Sequence, residues 1–196
     1  MDSAYAVLKV FHVFAFVFMS IPLFNLIVVN ERAQLGSSLN SDADRYMENI
    51  IRRGATRCFV FQGTVLATGL LLLLAGPLGL GALWGNWVLA TKLVLLVVLM
   101  GLLSYVHLRL QPAIDGLLAQ VVPGGPVPDD LPARLRPLRV RRKRLATGCF
   151  FLVLLTIVLG LQVYARFAPG VTAGLVGLAA VFAWRANRTL VRFGWL

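Results

Sequence analysis

Four residues of this 196-residue chain could do chemistry inside otherwise apolar runs: Lys9, His12, Lys92 and His107. Ionisable side chains in such runs are costly when the run crosses a membrane, so each is a candidate functional residue whose partner must be sought. Lys9 and His12 stand three apart and share one face of a helix. Lys92 is the only other lysine within an apolar run, and His107 is the only other histidine. A neutral imidazole is a common axial ligand of haem iron, and hydrocarbon surroundings suit a porphyrin. Lys9 could then pair with haem propionates, and Gln62, Leu66 and Gly69 of the second apolar run offer a face with room for a flat ring. The same residues also admit a structural reading, in which Lys9 snorkels outward and His12 hydrogen-bonds a neighbouring helix.

The elements that must position these residues are membrane spans. With 59% hydrophobic and only 14% charged residues, the composition is that of a polytopic membrane protein rather than a water-soluble domain. The expected fold is all-α, a single integral domain over residues 1–196 with five spans at about 4–29, 58–75, 87–108, 145–164 and 169–184. The first run opens with Asp2 instead of a basic stretch and is too long for a secretory signal. Pro22 is expected to kink span one, Ser41 or Asp42 to cap a helix leading into span two, and Pro169 to open span five. Trp84 and Trp87 read as interfacial anchors. Gln111 to Pro137, with six prolines, reads as solvent-exposed loop, the start of a cytoplasmic segment over 111–144.

The charges orient these spans. Arg32, Arg45, Arg52, Arg53, Arg57, Arg109, the basic run Arg134, Arg136, Arg139, Arg141, Arg142, Lys143 and Arg144, and then Arg185, Arg188 and Arg192 fall on one side of a five-span arrangement. Only Arg166 falls on the other. This asymmetry predicts an outer amino terminus, a cytoplasmic carboxyl terminus and a multi-pass protein of the cell inner (plasma) membrane. A net charge of +11 is thereby explained by topology and by anionic lipid at the basic run, with no nucleic-acid partner. By helix rise, His12 lies about 12 Å and Lys92 about 9 Å below the outer surface, so the two can meet, whereas His107 lies about 20 Å deeper than His12.

Lys9-x-x-His12 in span one, followed by a third span that opens Gly85-Asn86-Trp87, continues through Lys92-Leu93-Val94-Leu95 and reaches His107, resembles the HemJ/CopD-like membrane superfamily over about residues 4–110. That grouping includes HemJ-type protoporphyrinogen oxidases and CopD-type copper-resistance proteins. The resemblance implies a b-type haem in the outer half of the bundle, with His12 as an iron ligand, and a redox or porphyrin-related role. It implies for Lys92 a part in haem binding and activity, as second ligand, propionate partner or substrate contact. The chain departs from the HemJ pattern in three ways: it has a fifth span, Pro22 is followed by Leu23 and Phe24 where an arginine is expected, and the Lys92–His107 separation is long. A haem-binding relative is therefore expected rather than the oxidase itself. Copper transport is disfavoured because Met19, Met100, Cys58 and Cys149 are scattered.

The remaining candidates read as structural. Cys58 and Cys149 are expected to be buried inert thiols, and His107 to form an interfacial pair with Tyr105. Asn187-Arg188-Thr189 matches a glycosylation sequon but falls on the cytoplasmic side. There is no Ser-His-Asp set, P-loop or dinucleotide motif, and all eight acidic residues are placed outside the spans. The rival to a haem protein is a non-catalytic structural or accessory subunit of a larger membrane complex; a homo-oligomer is the other assembly considered.

Overall fold

The structure, a computed structural model, describes residues 2–30, 41–121, 127–163 and 166–188. These residues form helices α1 (Asp2–Asn30), α2 (Ser41–Ala75), the short α3 (Ala82–Gly85), α4 (Trp87–Tyr105), α5 (Gln111–Leu118), α6 (Leu131–Leu161) and α7 (Pro169–Arg188). A π-helical segment, Val106–Leu110, joins α4 to α5. No strand occurs among the described residues. Five helices are long and apolar enough to cross a membrane: Ser3–Val29, Tyr46–Ala75, Trp87–Leu118, Leu131–Leu161 and Pro169–Arg188. Their outward faces are rich in large apolar side chains such as Phe11, Phe14, Val97 and Leu178, as contact with lipid requires.

Consecutive long helices run antiparallel. Along the α1–α2 seam, Phe18 stacks on Phe61 with centroids 5.8 Å apart, and the carbon that a side chain at Gly54 would add lies 3.6 Å from Pro22 Cβ. Pro22 sits inside α1 without ending it. Between α2 and α4, Gly79 adopts φ +66°, a left-handed turn that favours glycine. The Asn86 side chain then accepts a hydrogen bond from Val88 N at 3.0 Å to start α4. The main core gathers Phe16, Met19, Leu23 and Ile27 of α1 with Cys58 and Val65 of α2, Leu96 and Leu99 of α4, and Phe150 and Val153 of α6. Helix α7 packs on α6 through Phe150–Phe182 and a Thr147–Asn187 hydrogen bond of 3.0 Å.

Two expectations are corrected here. The span that starts at Trp87 continues through His107 to Leu118, and the region beginning at Gln111 is largely helical rather than loop. Pro112 has no N–H, and its ring would strike the Leu108 carbonyl in a regular α-helix. The wider π turn just before it, with Gln111 N–H bonded to Val106 O, accommodates the proline and lets the chain continue. Pro132 sits in the first turn of α6, where a missing donor costs nothing. Ile114, Leu118 and Val121 close on Leu131 and Leu135 as a second small apolar core, which ties α5 to the start of α6.

The second correction concerns the basic run. Carried on α6, it divides by helical periodicity: Arg139, Arg142 and Lys143 turn inward and are buried, while Arg136, Arg141 and Arg144 are exposed. Glu48, buried near the start of α2, receives Arg142 as a two-point fork, Nη1 to Oε2 and Nη2 to Oε1, the latter at 3.0 Å. Arg139 Nε donates to Glu48 Oε1 at 3.2 Å. Gln111 completes the cluster, donating to Glu48 Oε2 at 3.1 Å and accepting from Arg142 at 2.7 Å. Glu48 is thus inside the bundle, contrary to the placement of all acids outside it, and it ties together α2, α5 and α6. A headgroup patch can draw only on the exposed members of the run.

Removing the carboxylate from such a cluster leaves buried guanidinium groups short of a counter-charge. Glu48→Gln is expected to destabilise the protein by about 3 kcal/mol. Asp130→Asn, which opens the exposed 3.2 Å Arg134–Asp130 pair, should change stability by less than about 1 kcal/mol. Thermal unfolding of the two variants in one detergent checks the contrast, and equal losses would contradict it.

Candidate functional site

Three of the four candidate residues come together. Lys9, His12 and Lys92 line one half-open cavity of about 250 Å³ at the end of the bundle where α1 begins and α2 ends. Its other walls are apolar: Val13 and Phe16 of α1, Val65, Leu66 and Leu73 of α2, Leu89 and Leu96 of α4. Helical spacing produces the convergence. Lys9, His12, Val13 and Phe16 recur at three- and four-residue intervals on α1, and Leu66, Gly69 and Leu73 do the same on α2.

His12 is held from the α2 side. Its Nδ1 lies 2.8 Å from Thr68 Oγ1, and that hydroxyl is 2.6 Å from the Thr64 carbonyl. The single hydroxyl proton of Thr68 goes to the carbonyl, so Thr68 accepts at Nδ1 and His12 donates there. The tautomer this network assigns carries its proton on Nδ1 and leaves Nε2 with a lone pair. The ring fits because position 69 is glycine: an added carbon there would stand 3.2 Å from His12 Cε1. Phe16 meets the imidazole edge-on, with centroids 5.4 Å apart. His12 is therefore hydrogen-bonded to a neighbouring helix, as the structural reading of the sequence expects, and it also lines the cavity.

Lys92 approaches from α4. Its Nζ lies 3.4 Å from the carbon that a side chain at Gly160 of α6 would add, and 5.8 Å from the Phe16 ring centroid. Both His12 and Lys92 thus border the same phenyl ring. Among the described residues Lys92 has no hydrogen bond or ion pair, although it is only partly exposed and set among leucines. Lys9 is exposed and lies at the cavity with its Nζ 4.4 Å from the Tyr5 ring centroid, on the side toward the helix start. The cavity therefore presents a lone-pair nitrogen and two cations on apolar walls.

His107 is elsewhere. It occupies the π segment, packs edge-on against Phe59 with centroids 5.8 Å apart, and borders a small void of about 20 Å³ with Cys58 and Gln111. Arg141 lies over the neighbouring Tyr105 ring at 5.3 Å, and the His107 Nδ1 is buried without a partner among the described residues. Gln62 does not join Leu66 and Gly69 in lining the cavity; it is buried, and its Oε1 likewise has no partner among the described residues. Cys58 and Cys149 are free thiols in the main core. No group of three or more His, Cys, Asp or Glu that could hold a metal ion occurs among the described residues.

The Glu48–Gln111–Arg139–Arg142 cluster is the feature that reading the sequence missed. A signal was present in the spacing of Arg139, Arg142 and Lys143, which at i, i+3 and i+4 define one face of a helix. The sequon at Asn187 extends to Thr189, outside the described residues; Asn187 itself is engaged by Thr147. No protein-family model matches the chain, and no curated protein or solved structure matches it either.

Proposed function

We propose that this membrane protein binds an apolar, carboxylate-bearing ligand of the porphyrin class in the cavity between Lys9, His12 and Lys92, the form that the chemistry favours being a b-type haem whose iron His12 would hold. The observation that carries this reading is the pairing of a lone-pair imidazole nitrogen with a lysine that has no anionic partner, on walls otherwise apolar. Hydrocarbon walls suit a macrocycle, the imidazole suits its iron, and the ammonium groups suit its carboxylates. Thr68 acts as a positioning residue, because its hydrogen bond at Nδ1 fixes the ring orientation and raises the basicity of the ligating nitrogen. At about 250 Å³ and open on one side, the cavity would take part of such a ring. Bound iron would supply one-electron chemistry at this level of the bundle. The resemblance to HemJ/CopD-like proteins agrees with this assignment of His12 and Lys92.

Absorbance of the purified protein tests the reading. Wild-type protein loaded with hemin should show a Soret band that His12→Ala abolishes or strongly shifts. Lys92→Ala should perturb the band or weaken binding, and His107→Ala should leave it nearly intact, since His107 packs near the opposite end of the bundle. A band that survives His12→Ala and is lost with His107→Ala would refute the site.

We further propose that the end carrying this cavity faces away from the cytoplasm, in the plasma membrane of a cell. The arginine asymmetry supports this orientation: Arg52, Arg53, Arg57, Arg109 and the basic face of α6 lie at the Glu48 end. A single cysteine placed at Asn86 should react with an impermeant maleimide added to intact cells, and one placed at Gly124 should not. The reverse labelling pattern would overturn the orientation.

A further inference from the structure

The groove between α1 and α2 at the Glu48 end is separate from the cavity and has its own chemistry. Pro22 lies against Gly54, where the small residue lets the helices approach, and the seam opens on either side into a groove of about 310 Å³. Its polar lining is Arg53 and Arg57, four apart on one face of α2, and Asn25 of α1, with Ile50, Ile51 and Leu26 beside them. Ile21, Phe18 and Phe61 line the part nearer the middle of the two spans, Phe18 and Ile21 each being 46% exposed. Both arginines are exposed, and neither has a carboxylate partner among the described residues. By contrast, Arg139 and Arg142 at the same end are buried on Glu48.

From two exposed arginines without a carboxylate partner beside an apolar seam, we infer that the α1–α2 groove is a binding site for an anionic phospholipid, its phosphate on Arg53 and Arg57 and an acyl chain laid along Ile21, Phe18 and Phe61. The long arginine side chains can extend toward the membrane surface while Phe18 and Phe61 lie toward the bilayer centre, which is the order of charge and hydrocarbon in a lipid. Two guanidinium groups without a counter-charge select a net-negative headgroup, and Arg binds phosphate oxygens through its fork of N–H donors. The apolar length of the groove commits the occupant to a lipid rather than to free phosphate.

Native mass spectrometry of the full chain in neutral detergent, titrated with phosphatidylglycerol or with phosphatidylcholine of the same acyl chains, tests this. Wild-type protein should retain one phosphatidylglycerol in preference to phosphatidylcholine. The Arg53→Gln/Arg57→Gln variant should lose roughly thirtyfold in that affinity. Ile21→Trp, which keeps both charges and fills the groove, should also weaken binding, whereas Arg136→Gln/Arg144→Gln, with equal charge loss on exposed α6 positions, should not. The proposal is overturned if phosphatidylcholine is retained equally or if the Arg53/Arg57 variant binds as wild type. It is equally overturned if the α6 variant loses as much, or if inorganic phosphate competes as well as the lipid does.

Discussion

A charge in a hydrocarbon layer must have a partner, and this chain handles that constraint differently at its two ends. At the Glu48 end two buried arginines have an anionic partner. A single carboxylate takes a forked Arg142, Arg139 and the Gln111 amide, so that three helices are joined through one buried anion. At the other end Lys92 enters an apolar cavity near the Phe16 ring and Gly160, with no carboxylate partner among the described residues. Fold stability alone would favour a leucine there. The contrast within one molecule is the reason to read the Lys92 end as a binding site and the Glu48 end as a structural lock.

Glycines and a proline set the geometry on which both ends rely. Gly69 and Gly160 leave the volume that the His12 ring and the Lys92 amine occupy, and their lack of a side chain brings α1 to α2 and α4 to α6 at the same level. Farther along, Pro112 is accommodated by the π turn that carries His107, which lengthens the third span and delivers Gln111 to Glu48. The same backbone irregularity therefore serves the lock, while the fifteen-residue separation of Lys92 and His107 keeps His107 away from the cavity. Between the two ends, His107 Nδ1 and Gln62 Oε1 are buried without a hydrogen-bond partner among the described residues.

Much of this was legible in the sequence because it follows from apolar length and helical spacing. Five spans, the start of α4 after Asn86, the start of α7 at Pro169 and the meeting of Lys9, His12 and Lys92 all derive from those two properties. The lock was not legible because positive charges near a span were read as one block. Only the α6 helix separates inward Arg139, Arg142 and Lys143 from outward Arg136, Arg141 and Arg144. The helical character of Gln111–Leu118 was hidden by prolines that a π turn and a first-turn position both tolerate. Pairwise partners such as Thr68 for His12, or Arg141 for Tyr105, depend on how helices are rotated against each other, which periodicity alone leaves open.

The central claim is that Lys92 is retained for a ligand and at some expense to the fold. Replacing it with an apolar side chain of similar length tests this directly. In ligand-free protein, Lys92→Met should raise the thermal unfolding midpoint, because a cation without an anionic partner is removed from apolar surroundings. The same variant should bind hemin more weakly than wild type in a titration followed at the Soret band. A lowered midpoint together with unchanged hemin binding would contradict the account, and would make Lys92 a structural residue whose partner lies within the protein.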